Sequence, residues 1–295
     1  MFRFLLASLL LLLGSLRPAQ AQRIINQSTA LASGQGVFLD LQHANHIRVR
    51  PGAAGAGLAV QARVVVNDNQ RNDAVSLRLE QSATEVRIIE ALDEPLLRKL
   101  QFNGNCPEGA HSNNNGTWND NGRKAQYSYC LQIDYDVTLP AGTVLRLSTI
   151  TGDVDLRDLT GEITVKTVSG NLLFANLSGT VTARTVSGDV KFEHRGPGAV
   201  GVKTVSGDVK LTTEGGGATD VASVSGNVDV SWPAAQGADL NLKSLTGEVY
   251  ADPAVAFSNR RAHSLIGYAL KGTLGAGGTP VQIESVSGDV FFRKQ

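Results

Sequence analysis

The chain has 295 residues, 32 of them glycine, with only 5% aromatics and equal numbers of acidic and basic side chains. Zero net charge removes the basic footprint of a nucleic-acid binder, and no polybasic run marks a membrane surface. Abundant glycine with few aromatics suits strands joined by tight turns better than a thick globular core.

Residues 1–21 read as a secretory signal peptide. Arg3 supplies the charged start, Phe4 to Leu16 an apolar run, and Ala19-Gln20-Ala21 a small-x-small cleavage site. An uncleaved anchor needs about 20 apolar residues, more than this run offers. No second such run follows, and no cysteine stands near the cleavage site to carry a lipid. The expected mature chain starts at Gln22, has no transmembrane segment, and works in the periplasm or at the cell exterior.

Residues 22–140 form an N-terminal β-strand region. Apolar residues alternate with period two at Val37, Leu39 and Leu41, at Ile47 and Val49, and from Leu58 through Val66. The pattern returns at Val75, Leu77 and Leu79 and at Val86 and Ile88. Turn clusters at Pro51-Gly52 and Asn67-Asp68-Asn69 separate them. The irregular spacing leaves two readings, imperfect early coils or a small sheet covering the first regular coil. Asp93 to Leu100 is predicted to hold a helical turn, with Asp93 as cap and Pro95 in the first turn. Asn103 to Gly122 reads as a long polar loop containing Trp118, a residue suited either to stacking on sugar or to covering a disulfide. Cys106 and Cys130, an even pair in an exported chain, are expected to close a loop of about 25 residues around 103–130. That crosslink contributes roughly 3 to 4 kcal/mol on the chain-entropy model; a metal or catalytic thiol lacks any partner at ligand spacing. Tyr127 to Leu139 resumes strand alternation.

Residues 141–295 carry regular repeats. One phrase (TITGDV, TVSGNL, TVSGDV, TVSGDV, SVSGNV, SLTGEV, SVSGDV) recurs around Gly152, Gly170, Gly188, Gly207, Gly226, Gly247 and Gly288, with a degenerate copy at Gly267. Neighbouring copies stand 18 to 21 residues apart, the period of a stacked-repeat architecture. Apolar columns lie two residues before each glycine (Ile150, Val168, Val186, Val205, Val224, Leu245, Leu265, Val286) and two after it (Val154, Leu172, Val190, Val209, Val228, Val249, Ala269, Val290). A further column stands at plus four (Leu156, Phe174, Phe192, Leu211, Val230, Phe292). Half a period away come Ile163, Val181, Val200, Leu240 and Val281, then Val165, Ala183, Val202, Val221, Leu242 and Ile283. The expected fold is all-β, a parallel β-solenoid with two short strands per coil stacked at about 4.8 Å. The glycines supply positive φ or close approach between coils.

Tyr135 onward, YDVTLPAGTVLRLSTITGDVDL followed by repeated T-V-S-G-D-V, resembles the bacterial "putative adhesin" family of β-strand-repeat proteins, a domain of unknown function. The resemblance is weaker over Val37 to Ile89. It implies a parallel β-solenoid in an exported envelope protein. The Cys106–Cys130 loop and the degenerate copy at Gly267 depart from that pattern.

Two polar ladders follow from stacking. Asp153, Asn171, Asp189, Asp208, Asn227, Glu248 and Asp289 come directly after the glycines. The favoured reading is a turn role, in which side chains bond nearby amides. Calcium binding lacks the several ligands per turn of nonapeptide rolls. Hydrolysis by Asp189 and Asp208, about 5 Å apart on adjacent coils, has the spacing of a retaining glycosidase but no cleft in view. The second ladder pairs Thr149 with Thr151, Thr167 with Ser169, Thr185 with Ser187, Thr204 with Ser206, Ser223 with Ser225, Ser244 with Thr246, and Ser285 with Ser287. At i and i+2 in a strand these share one side, a hydroxyl stripe that either bonds local backbone or offers a flat face to polysaccharide or ice. His43 and His46 are expected to face opposite sides, His194 and His263 are isolated, and no cofactor, metal or catalytic motif appears.

The sequence is therefore read as a non-enzymatic surface for adhesion, with polysaccharide or a cell-surface protein as partner and no nucleic acid. A carbohydrate-active enzyme and an assembly protein are the alternatives, the latter self-associating through an open C-terminal coil edge at Val290 to Arg293.

Overall fold

The computed structural model describes residues 22–53, 55–107, 110–120, 123–258 and 267–295. The expected signal peptide, His263 and Leu265 lie outside the described residues, as does the side chain of Trp118. No helix among the described residues is long and apolar enough to cross a membrane.

Two 12-stranded sheets enclose one core. Each regular coil gives one strand to each sheet, turning at its glycine: Val181–Ser187 enters one sheet and Val190–His194 the other. Successive coils pair in parallel and in register, with one shift between Phe174 and Leu177. Ile163, Val181, Val200, Thr219, Val281 and Leu240 stack in one sheet. In the other, Val154, Leu172, Val190, Val209, Val228, Val290 and Val249 do the same. The parallel β-solenoid read from the columns is the observed fold. Each buried Val or Leu adds roughly 1.5 to 3 kcal/mol, which only stacking makes available. Phe174 and Phe192 meet edge to face in the plus-four column, with centroids 5.4 Å apart.

The corners are too tight for a side chain. At Gly188 φ is +135° and a Cβ would stand 2.1 Å from the Gly170 carbonyl oxygen; at Gly179, on the opposite corner, it would meet the Gly161 oxygen at 1.9 Å.

The same two sheets continue into the N-terminal region, where both readings of that region are realised. Gly36–Asp40 and His46–Pro51 form an early coil in parallel register with Leu145–Ser148 and Asp153–Arg157. Beyond it antiparallel strands close the end: Arg23–Thr29 on Leu58–Val66 in one sheet, Val75–Gln81 on Glu85–Leu92 in the other. Asn67, Asp68 and Asn69 turn in the left-handed region, and Asn67 Oδ1 accepts from the Cys130 amide at 2.8 Å. The Asp93 cap is present, accepting from the Leu96 amide at 3.0 Å at the head of Glu94–Leu97.

Three expectations are corrected. The polar loop over 103–122 contains a strand, His111–Asp120, paired antiparallel with Arg123–Leu139. Backbone pairing needs no apolar side chains, so polarity hid it. Cys106 and Cys130 are joined at its base, with Cα atoms 5.6 Å apart. Second, the copy at Gly267 is no coil. Tyr268–Leu274 runs antiparallel along Ala238–Ser244, placing Ala269 opposite Lys243 and outside the plus-two column. Third, the C-terminal strands are not an edge. Thr279–Ser287 lies between Thr219–Ser225 and Ala238–Ser244, and Val290–Lys294 between Val228–Trp232 and Val249–Ala251. The chain passes this slot, builds the outer coil and its antiparallel cover, and then returns to fill it. Self-association through an open Val290 to Arg293 edge is thereby removed.

Candidate repeat surface

The Asp/Asn ladder is continuous. Asp153 Oδ1 accepts from the Asn171 amide at 2.8 Å, Asn171 Oδ1 from Asp189 at 3.0 Å, and Asp189 Oδ1 from Asp208 at 2.9 Å. Asp208 Oδ1 accepts from Asn227 at 2.7 Å, Asn227 Oδ1 from Asp289 at 2.8 Å, and Asp289 Oδ1 from Glu248 at 2.9 Å. At the corner the chain turns out of the sheet, and each side chain supplies the acceptor that the amide of the next coil lacks. This is the turn reading, extended from one coil to the next. An Asn amide oxygen serves as well as a carboxylate, which explains why both occur in the ladder. Asp208→Asn should therefore change stability by no more than about 0.5 kcal/mol, whereas Asp208→Ala should cost about 1 to 2 kcal/mol, read from urea midpoints at constant m. Among the described residues no group of three or more His, Cys, Asp or Glu is placed to hold a metal ion.

The hydroxyl stripe divides in two. Thr149, Thr167, Thr185, Thr204, Ser223, Ser244 and Ser285 are buried, while Ser169, Ser187, Ser206 and Ser225 are exposed. The inward alternation Ile163, Val165 simply continues to Thr167. The backbone then rotates into the corner, so i and i+2 no longer share a side. Most of the buried hydroxyls bond the corner itself, Thr204 being the exception: Thr167 Oγ1 donates to Ser169 O at 3.1 Å, Thr185 Oγ1 to Ser187 O at 3.2 Å, and Ser223 Oγ to Gly207 O at 3.1 Å. A flat Thr/Ser face for polysaccharide or ice does not exist in the form expected.

The same rotation turns the minus-two column outward. Ile150, Val168, Val186, Val205, Val224, Val286 and Leu245 are 43–49% exposed. They were expected in the core. They form instead a straight aliphatic stripe along the corner, one side chain per coil. The core survives because the half-period and plus-four columns remain buried, as does the plus-two column apart from Ala269 and the half-buried Val249.

Across the Asp/Asn ladder from that stripe lies a trough of about 520 Å³ on the outer face of one sheet, bordered by Leu173, Lys191, Lys210, Asp229 and Phe291. At its C-terminal end Tyr250 and Phe291 stack face to face, 4.9 Å between centroids and 6° from parallel. The Arg293 guanidinium sits 5.0 Å from the Phe291 centroid and holds Asp229 at 3.0 Å. Tyr250 OH donates to Glu248 at 2.6 Å, a bond that raises the phenol's pKa. The sequence reading did not single out this pair, although both residues stand three after a corner glycine.

The histidines do not converge. His43 Nδ1 meets Glu90 Oε1 at 2.7 Å, and Tyr135 OH donates to Glu90 Oε2 at 2.8 Å. His46 pairs with Asp134 at 2.9 Å. His194 is buried beside Phe192, donates Nε2–H to Gly179 O at 2.9 Å, and is held below the usual imidazole pKa by burial. The Glu90 hydrogen bond raises the His43 pKa against the opposing cost of burial. A raised folded-state pKa stabilises fully below the unfolded value of about 6.5 and is lost as pH rises through the folded value. The stability difference between the parent and His43→Gln should thus shrink as pH rises above about 6.5. The opposite effect of His194 cancels in that difference. Parallel thermal melts across this range check it.

Residues 133–216 match a family model described as Toastrack DUF4097, which meets the resemblance read from Tyr135 onward. A search of curated proteins finds no match. Two solved structures are similar in fold. One is a "putative cell adhesion protein" from Clostridium sporogenes, 10% identical, covering 93% of this chain and all of that one, with TM-score 0.35. The other is a "putative adhesin" from Bacteroides fragilis, 12% identical, covering 92% and 98%, with TM-score 0.46.

Proposed function

We propose, with the Toastrack DUF4097 match over residues 133–216 as premise, that the chain is an exported, non-enzymatic β-solenoid whose repeat surface holds an extended envelope or extracellular polysaccharide. The observation that carries this reading is the stacked Tyr250–Phe291 pair at the end of a trough whose mostly apolar lining is edged by the Asp/Asn ladder, Lys191 and Lys210. Aromatic faces take the apolar face of a sugar ring while amide, carboxylate and ammonium groups take its hydroxyls. A rigid coil repeat of about 4.8 Å offers many weak contacts that add along one polymer. The non-enzymatic reading is supported by Asp189 and Asp208, each of which spends an oxygen on the next backbone amide.

Co-sedimentation of the mature chain with a panel of envelope and extracellular polysaccharides tests it. Binding without turnover is expected, weakened at least tenfold, about 1.4 kcal/mol, in Tyr250→Ala/Phe291→Ala. Absence of binding across the panel, or capture only by a cell-surface protein, overturns the polysaccharide assignment. Release of reducing ends that disappears in Asp189→Asn or Asp208→Asn replaces it with a hydrolase.

A further inference from the structure

The aliphatic stripe has no role in the fold or in the trough. Its seven side chains, each nearly half exposed, amount to roughly 500 Å² of apolar surface, within the range of the largest and often functional patch on a protein of this kind. It is straight and rigid, because consecutive coils are held in register: Thr185 opposite Thr204 and Ser187 opposite Ser206 fix Val186 against Val205. A partner must present a straight apolar ridge with the same pitch of about 4.8 Å. A second copy of this chain presents one by construction, and a two-fold contact between identical patches is self-complementary.

Charge selects the orientation. On one side of the stripe stand Lys166, Arg184 and Lys203, the last also paired with Asp220 at 2.8 Å, before Ala222 and Glu284 continue that column; on the other, across the glycine corner, stand Asp153, Asp189 and Asp208. The ladder occupies one oxygen of each of these carboxylates, leaving the second for an ion pair. A two-fold axis running along the stripe sets the basic column of each copy against the acidic column of the other. An axis across the stripe sets like against like. We infer that two copies associate side by side and parallel, stripe against stripe, through Val168, Val186, Val205 and their neighbours. Apolar burial supplies the drive and the flanking columns fix the register. With its flanks, the contact approaches the roughly 800 Å² per partner of a standard interface.

Sedimentation equilibrium up to about 100 μM should give a dimer for the parent, and at least tenfold weaker association for Val186→Asp/Val205→Asp. Those two positions face solvent in the single chain, so the variant should melt within about 0.5 kcal/mol of the parent. Ser169→Cys should crosslink to itself under mild oxidation, because parallel copies bring the same coil face to face. A mixture of Ser169→Cys with Ser287→Cys should form no mixed pair, since those coils meet only in the antiparallel arrangement. A parent that stays monomeric, a dimer indifferent to both aspartates, or a mixed 169–287 crosslink overturns the proposal. Polysaccharide binding by the aspartate variant is read separately, because Val186 and Val205 do not line the trough, whose near wall is the Asp/Asn ladder; its loss would count against the trough, not against the dimer.

Discussion

Gly188→Ala should destabilise the protein by about 3 to 5 kcal/mol, enough to remove much of the 5 to 15 kcal/mol typical of a native domain. Two effects add. The new Cβ would stand 2.1 Å from the Gly170 carbonyl oxygen, and the backbone there has φ +135°, a region costly to any residue with a Cβ. The obstacle is backbone, not a side chain that can swing aside. Relief therefore requires the coils to part, which breaks the hydrogen bonds on both sides of the corner. Gly179→Ala separates the two effects. Its Cβ would meet the Gly161 oxygen at 1.9 Å with φ outside the left-handed region, so any loss there comes from close approach alone. Gly201→Ala is the control. Within strand Val200–Ser206 the nearest atom to an added Cβ is 3.8 Å away, and a strand glycine replaced by alanine should gain up to about 1 kcal/mol. Guanidinium unfolding followed by circular dichroism ranks the three. A Gly188→Ala midpoint equal to that of Gly201→Ala would mean that the corners are not packed as described.

The second large effect concerns the last seventeen residues. Phe292→Ala should cost about 3 to 5 kcal/mol, as much as Phe192→Ala in the middle of the rod, although Phe292 stands three residues from the C-terminus. Its ring is 1% exposed, and its strand is hydrogen-bonded on both sides. Terminal coils of a sequentially stacked solenoid fray and exchange their amides quickly. Here the amides of Thr279–Ser287 and Val290–Lys294 should exchange as slowly as those of Val200–Ser206. Ending the chain after Gly278 should remove more than one coil, because Ala238–Ser244 and Val249–Ala251 would lose the strands that connect them to the rod. Fast exchange over 281–292, or a truncation that loses only the last coil's share of stability, would place those strands at an edge after all.

Much of this architecture could be read from residue types. A period near twenty, a glycine at each corner and aliphatic residues in fixed columns are local facts. Val154, Leu172, Val190 and Val209 have no way to be buried except by stacking on one another. The Asp/Asn ladder was visible for the same reason, since one residue per coil at a constant offset must align. What period-two reasoning could not supply was the rotation of the backbone at the corner. Inside a strand, alternation assigns faces; past Thr167 the chain leaves the strand. Val168 consequently swings out to solvent and Ser169 parts company with Thr167. The hairpin of His111–Asp120 was equally silent, because its pairing lies in the backbone.

Coil order belongs to the tertiary structure alone. Every coil offers nearly the same Val and Leu columns, so any coil can sit on any other with little change in buried area. The order is instead that of the strand pairings, in which Thr279–Ser287 and Val290–Lys294 sit inside the coil that precedes them in the chain. That order brings Tyr250 against Phe291, forty-one residues apart in the chain, and creates the aromatic end of the trough. Column chemistry dictates that a rod forms; the order in which its coils stack dictates which side chains become neighbours on its surface.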